Sequence, residues 1–438
     1  MTAVLDADIE ESFATPGGTV NQGRVYVWIT DPARFVGGHI EAQVIPLPRL
    51  ETRSDAGAPL SGTFVEVINA GQINVAEPHT GGTRISAIGN AQPDDQGNFL
   101  FDPGHGGGRM DKIPLAEVEF RSRYVQAAHF GEVNTYYHLD RIGSYVDGLL
   151  RELGAPGLPR VRAVVNAHHA ATEKDGVRDG VWTGKHWRPF QGGHYRLPSK
   201  RYDMQEPAQM SPDGEIHLGP GFKLLHHGAL VEAAGRRYRH NASHNASTLY
   251  HEYGHHITRH TADFRANALR PPESQNNRKT TLDEGTCDYW VATQLGTPHI
   301  WAWHRRHDSK ELHDRSLSST KTMADYVDSR QHVHANGTIW AAGLWNVRAQ
   351  MAASEQNGVR KTDLMVLQAL LLLGKREGSA HPQTRKSTSA ARGNMTAGLE
   401  ALLQADEVLY AGRHQDMILA TFAERGLYPR SRVSWNVS

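Results

Sequence analysis

A chain of 438 residues, of which 39% are hydrophobic and 21% are charged, is long enough to bury a large core and to form two or three domains. Its 47 basic and 47 acidic residues balance, which gives no reason to expect electrostatic capture of nucleic acid or of an anionic membrane surface. The single cysteine, Cys287, excludes an intramolecular disulfide and a cysteine-based zinc cluster, so a metal ion would need histidine, aspartate or glutamate ligands.

No stretch reaches the roughly 18 uninterrupted apolar residues of a membrane helix, and the longest apolar run, Leu364 to Leu373, fits a core helix. The N-terminal residues MTAVLDADIEESFATPGG are acidic and lack the basic start and apolar run of a signal peptide. We therefore expect a flexible tail over residues 1–20 and a cytoplasmic location. A secreted mature form stays open as the alternative.

Short segments rich in Val, Ile and Phe begin at Arg24, among them RVYVWIT, HIEAQVIPL, TFVEVIN and NFLF. Turn-forming Gly, Pro and Asp separate them, which is typical of an all-β unit. This pattern predicts a β-sandwich over residues 21–115.

The pattern becomes helical from Glu117 to Leu153, where apolar residues recur at steps of three and four. VRAVVNAHHA, HYRLPS and GEIHLGP predict strands, and residues 244–262 predict a second helix with Asn245 or Ser247 as its N-cap. The remainder, from residue 280, is mainly helical. The sequence therefore predicts an α+β fold with several domains.

The second predicted helix contains His251-Glu252-Tyr-Gly-His255. Residues four apart on a helix lie roughly 40° apart around its axis and about 6 Å apart along it, so both histidines can bind one ion. Glu252 lies beside them, where it can take a proton from a water molecule on zinc. The alternative is a solvated, histidine-rich helix face.

A catalytic zinc ion takes a third protein ligand and leaves one position for water. The segment LDEGTCDYW (282–290) supplies Glu284 as that ligand on a helix that Asp283 can cap. Asp288 shares a helix face with Glu284 and can accept a hydrogen bond from the far nitrogen of a zinc-bound histidine. The small residues after Glu284 suit a helix packed closely against another, whereas an ordinary capped helix would explain the charges alone.

The pair HEYGHHI and EGTCDYW resembles the HExxH plus ExxxD pattern of the glutamate-liganded zinc peptidases, or gluzincins. The fungalysin family is nearest and the thermolysin-like enzymes are more distant. A third segment, HVHANGTIWA (332–341), is similar to the VHxxGTxWA stretch of fungalysins. The resemblance covers roughly residues 120–345.

This resemblance implies a two-lobed, thermolysin-like zincin domain after the β-sandwich. The upper lobe, with a sheet and the HExxH helix, would span residues 116–262, and a helical lower lobe would span 263–438. His334 matches the histidine that in thermolysin-like enzymes donates to the oxyanion of the tetrahedral intermediate. An edge strand of the family pairs with the substrate backbone, and either VVNAHHA or GEIHLGPG can be that strand. We expect Asn166 and Ala167 to lie there.

Together these features predict a Zn²⁺-dependent metallopeptidase with a peptide or peptide-like substrate and with neither nucleic acid nor membrane as partner. Thermolysin-like enzymes carry an oxyanion-holding Tyr in the connection that here joins His255 to Glu284, and this connection contains no Tyr. A zinc hydrolase for a peptide-like metabolite of a biosynthetic pathway therefore stays open. So does an inactive zinc-binding scaffold, although the intact Glu252 argues against it.

Overall fold

The computed structural model describes residues 20–30, 38–51, 57–76, 83–103, 117–170, 187–189, 192–198, 210–219, 241–271, 274–300, 315–375 and 394–430. These residues form an α+β fold, as predicted. The expected flexible tail, residues 1–20, lies outside them except for Val20. Within this part of the chain, no helix combines the length and the apolar character that crossing a bilayer requires.

The chain divides into two compact units that are each discontinuous in sequence. The first unit comprises Met1–Arg141, Arg160–His194 and Glu215–Leu249, and the second comprises Ile142–Pro159, Tyr195–Gly214 and Tyr250–Ser438. The predicted domain limits, 21–115, 116–262 and 263–438, stay predictions.

The strands of the described chain are short. They are β1 (Gln22–Thr30), β2 (Gly38–Pro46), β3 (Leu60–Ser61), β4 (Val65–Asn69), β5 (Gln72–Ala76), β6 (Thr83–Ala87), β7 (Val161–Val165), β8 (His168–Ala170), β9 (Trp187–Pro189), β10 (Gly193–Arg196) and β11 (Glu215–Leu218). Antiparallel pairs join β1 to β2, β5 to β6, and β8 to β9. The remaining five form a mixed sheet in the order β10-β11-β7-β4-β3.

The predicted N-terminal β-sandwich is not confirmed. Strand β4 pairs in parallel with β7, in the register Val65 to Val161, so a strand of the segment 21–115 belongs to a sheet with strands beyond residue 160. The burial of β4 alternates, with Val65 and Val67 fully buried, as the sequence pattern requires. Alternation identifies a half-buried strand but not its partner strand, which is the physical reason for the difference.

The first two helices lie where the sequence predicts them, and the chain from residue 280 is mainly helical, as expected. The helices of the described chain are α1 (Glu117–Glu152), α2 (Ala246–His260), α3 (Thr281–Leu295), α4 (Val333–Ser354), α5 (Gly358–Lys375), α6 (Met395–Tyr410) and α7 (Gln415–Ala423). Five of the six residues of the predicted apolar stripe of α1 are fully buried and Tyr145 is half-buried; the five are Tyr136, Leu139, Ile142, Val146 and Leu149.

Helix α2 begins at one of the two predicted caps. The side-chain Oδ1 of Asn245 accepts a hydrogen bond from the backbone N–H of Ser247 at 3.0 Å and from that of Thr248 at 3.4 Å. These bonds satisfy two of the N–H groups that the first turn of a helix leaves without an internal partner. Asn245 is therefore the N-cap, which sets where the metal-motif helix starts.

Helix α3 is held by a buried ion pair between two other helices. Arg348 on α4 donates to Asp363 on α5 at 3.1 Å, and the hydroxyl of Tyr289 on α3 donates to the same carboxylate. Asp363 is fully buried, so its charge is tolerated because it is paired and hydrogen-bonded. The network ties α3 to α4 and α5 within the second unit.

Glycine residues let α2, α3 and α4 approach to backbone contact. A Cβ atom at Gly285 of α3 would lie 2.4 Å from the carbonyl oxygen of Gly337 on α4, and one at Gly254 of α2 would lie 2.7 Å from Cα of Cys287 on α3. Real Cβ atoms do not approach backbone that closely, so each position excludes a side chain. The expected close packing around the segment after Glu284 is confirmed.

We expect Gly285→Ala to destabilise the protein by about 3 kcal/mol, at the upper end of the usual overpacking cost, because the new methyl group meets backbone. Gly148→Ala is the matched control. Gly148 lies in α1 with nothing within 4 Å of an added Cβ, so its replacement should stabilise by about 0.5–1 kcal/mol through helix propensity. Urea denaturation in excess zinc would measure both changes, and equal stability of the two variants would contradict the packing argument.

Candidate metal centre

Helix α2 presents three buried polar side chains on one face. His251, Glu252 and His255 are 4%, 6% and 3% exposed, although burying such groups without partners is costly. The two imidazole rings lie edge to face, with centroids 5.0 Å apart. The helix geometry therefore brings the two histidine rings together, as the sequence predicts.

Helix α3 adds the third predicted ligand. Oε2 of Glu284 lies 3.0 Å from Nε2 of His251 and 3.7 Å from Nε2 of His255. One donor atom from each of these three buried residues lies within 4.8 Å of the other two. Two imidazole nitrogens and one carboxylate oxygen are a donor set that zinc accepts, with a fourth position left for water.

Each histidine has an aspartate behind it. Nδ1 of His251 donates to Oδ1 of Asp288 at 2.8 Å, and Nδ1 of His255 donates to Oδ1 of Asp283 at 3.0 Å. A hydrogen bond at Nδ1 fixes the ring orientation and leaves Nε2 directed at the ion. The sequence predicts that Asp288 accepts a hydrogen bond from a ligand histidine, and the structure places it beside His251.

Asp283 differs from the expectation that it caps α3. Thr280 is the N-cap, because its side chain accepts the backbone N–H of Asp283 at 3.1 Å. The Asp283 carboxylate is therefore free of the helix terminus and accepts from Thr258 Oγ1 at 2.7 Å as well as from His255. Sequence reasoning missed this second aspartate–histidine pair.

Electrostatics in this cluster favour positive charge. Burial raises the pKa of Glu284, but the charges of His334 and His255 and a hydrogen bond from His251 outweigh it and hold that pKa well below the ordinary value. Burial likewise opposes protonation of His251, yet hydrogen bonds to Asp288 and Glu284 raise its pKa to about 10. A pocket that favours cationic partners to this extent suits a bound cation.

Two further residues complete the surroundings. Arg315 donates to Asp288 at 2.7 Å. Burial raises the pKa of the Asp288 carboxyl, but the pairing with Arg315 opposes burial and the pKa is lowered. Cys287 Sγ lies 3.1 Å from Nδ1 of His255, and burial raises the pKa of its thiol well above the ordinary value. Cys287 is thus a buried, protonated thiol against which Gly254 packs.

His334 lies in the first turn of α4 and reaches the same cluster. Its Nδ1 is 2.8 Å from Oε2 of Glu284, its ring centroid is 6.1 Å from that of His251, and its side chain is 48% exposed. The structure therefore brings this predicted residue to the candidate centre, with one face open to solvent.

Asn166 and Ala167 lie in the first unit and are fully buried. Asn166 interrupts the predicted strand 161–170 with a left-handed φ of 52°, and its amide bonds Asn69 at 3.0 Å and Asn241 at 3.1 Å. The backbone N–H of Ala167 donates to the carbonyl of Leu218 at 2.8 Å. The strand that Asn166 and Ala167 follow, β7, lies between β11 and β4 in the described sheet, so the expected edge-strand position is wrong. Their expected role in substrate binding stays a prediction.

The family model of the fungalysin metallopeptidases (M36) matches residues 10–430, so the chain belongs to this family. Fungalysin metallopeptidases are zinc enzymes, and the residues at the candidate centre fit zinc in type and burial. The chain is also similar to a protein named Extracellular metalloproteinase MEP from Fusarium vanettenii, with 27% identity over 220 residues. That match covers 45% of this chain and 32%, about a third, of the relative.

We expect Asp283→Asn to weaken zinc binding by about 10- to 100-fold, because His255 loses the charge that orients its ring and raises its basicity. Competition with a chromophoric chelator would measure the dissociation constant. Asp325→Asn is the control, since Asp325 only caps a short, exposed helical turn of its own. An unchanged zinc affinity in Asp283→Asn would show that this aspartate has no part in the metal centre.

Proposed function

We propose that the protein is a zinc-dependent metallopeptidase in which His251, His255 and Glu284 hold the ion. The observation that carries the proposal is the convergence of two histidine Nε2 atoms on one carboxylate oxygen. A second buried carboxylate, Glu252, follows His251 in the same helix. Each histidine has its aspartate partner, as zinc-binding histidines usually do.

When bound, zinc polarises the substrate carbonyl and lowers the pKa of a water molecule from about 15.7 to about 7. Glu252 then acts as general base, since its carboxylate can take the proton of the attacking water and pass it to the leaving nitrogen. His334 donates to the oxyanion of the tetrahedral intermediate, where charge develops only as the reaction proceeds. Asp283 and Asp288 orient the two histidines and take no part in proton transfer.

Peptide bonds are the proposed substrate, with cleavage of the endopeptidase type. Membership of a metallopeptidase family supports this choice, and so does the name of the Fusarium relative, a metalloproteinase. The same name describes an extracellular protein, which favours a secreted mature form of this chain over the cytoplasmic location expected from its N-terminal residues.

Glu252→Gln tests the proposed function directly. Glutamine keeps the shape of the side chain and an oxygen acceptor but cannot carry the proton. We expect zinc stoichiometry unchanged and kcat lower by about 10²- to 10⁴-fold on a mixed peptide library, measured by mass spectrometry with metal analysis on the same samples.

Three outcomes would contradict the proposal in different ways. Zinc in both proteins without cleavage by either would favour a non-peptide substrate or an inactive scaffold. Equal cleavage by both proteins would remove Glu252 from the mechanism. A wild-type protein that binds no stoichiometric metal would remove the metal centre itself.

His334→Asn separates a role in catalysis from a role in metal binding. Loss of an oxyanion donor should lower kcat by about 10²- to 10³-fold while zinc affinity is kept. His332→Asn is the matched control, because His332 is exposed and precedes the same helix by one residue. If the variant instead loses zinc and retains kcat at saturating metal, then His334 supports Glu284, which it contacts, and not the oxyanion.

A further inference from the structure

The carboxylate of Glu252 is held by a backbone group far away in sequence. Its Oε2 accepts the N–H of Tyr195 at 2.7 Å, and both residues are buried, at 6% and 2% exposure. Within the described part of the chain, the second oxygen, Oε1, has no hydrogen-bond partner. One of the two carboxylate oxygens is thus fixed by a backbone donor.

The backbone segment that supplies this N–H is held by a second contact two residues later, at Leu197. The Asn277 side chain accepts the N–H of Leu197 at 2.7 Å through Oδ1 and donates to the Leu197 carbonyl at 3.1 Å through Nδ2. This two-point contact imitates the pairing of a neighbouring β-strand and fixes both the position and the direction of the extended segment. Leu197 and Asn277 are buried, at 4% and 9% exposure.

Tyr195 is also fixed through its ring and its carbonyl. Its hydroxyl donates to the carbonyl of Asp213, and its ring lies edge to face with His256 at 5.7 Å. The ammonium group of Lys279 lies 5.3 Å from the ring centroid and 3.5 Å from the Tyr195 carbonyl oxygen. The N–H of Tyr195 therefore has little freedom to turn away from Glu252.

Asn277 and Lys279 both lie in the connection between α2 and α3 that contains no Tyr. We propose that Asn277 is a positioning residue, which holds the segment Tyr195–Leu197 so that the Tyr195 N–H orients the Glu252 carboxylate for proton transfer. The inference rests on the proposed role of Glu252 as general base. It gives the connection between α2 and α3 a role in catalysis. Displacing a general base by about 1 Å from the proton that it takes can lower the reaction rate by about a hundredfold.

Asn277→Leu, of similar size, removes both hydrogen bonds to the Leu197 backbone. Asn277→Asp keeps the acceptor but not the donor. The chain offers Asn276→Leu as a matched control, since among the described residues the Asn276 side chain bonds only the backbone N–H of Arg278 in the same loop. All variants would be measured at full zinc occupancy, with kcat and KM on one peptide and with a thermal melt.

We expect Asn277→Leu to lower kcat by about 10- to 100-fold with KM within about twofold, because Glu252 loses alignment and not substrate contact. Asn277→Asp should recover part of the rate, and Asn276→Leu should match the wild type. If Asn277→Leu does not fold, a lower kcat at constant KM in folded Asn277→Asp supports the proposal, and a wild-type kcat overturns it.

Other results would also overturn it. If Asn277→Leu raises KM at constant kcat, the segment Tyr195–Leu197 contributes to substrate binding. If Asn277→Leu raises kcat/KM, the segment instead restricts access to the metal centre. Failure of the proposed function is distinguishable, because then either the wild type would cleave no peptide or Glu252→Gln would cleave as well as the wild type. Failure of this inference leaves wild-type cleavage and its loss in Glu252→Gln intact.

Discussion

The distance between helices α2, α3 and α4 is the constraint on which the metal centre depends. At Gly254 and at Gly285 the neighbouring backbone occupies the space of a side chain, so these helices touch through main-chain atoms. Helices separated by larger residues usually lie 8–10 Å apart and can adjust. Backbone contact removes that adjustment, and ligand atoms of a metal centre must be correct to about 0.2 Å. The ligands of α2 and α3 are thereby held in register before any ion binds.

Charge balance is the second requirement that the structure meets. Helix α3 buries three carboxylates within two turns, at Asp283, Glu284 and Asp288. Buried charge is tolerated where it is paired, and here Asp288 faces Arg315 and a histidine, while Asp283 faces a histidine and a threonine hydroxyl. Glu284 contacts three histidines. The arrangement accumulates negative charge at one point, where a divalent cation would be stabilised.

The sequence was most informative where function depends on neighbours along one helix. His251, Glu252 and His255 are set by the periodicity of one helix, and so are Glu284 and Asp288 by that of another. The convergence of the two helices was predicted from the three protein ligands that a catalytic zinc ion takes and from the resemblance to the fungalysins. Contacts between distant segments that no motif marks could not be predicted from the sequence. An example is the hydrogen bond from the Tyr195 backbone N–H to Glu252, because a backbone donor has no residue-type signature. The parallel partner of β4 was missed for the same reason, since periodicity carries no information about which strands pair.

The two turns from Thr281 to Asp288 have a consequence for how this protein can vary. All eight residues are buried; one is a metal ligand candidate, two orient histidines, and two are fixed by close backbone or side-chain contact with neighbouring helices. Substitution there is constrained by geometry and charge at once, so this stretch should tolerate few mutations. Divergence among relatives in what they cut would then have to arise in the loops around the centre, while the segment that binds metal remains nearly unchangeable.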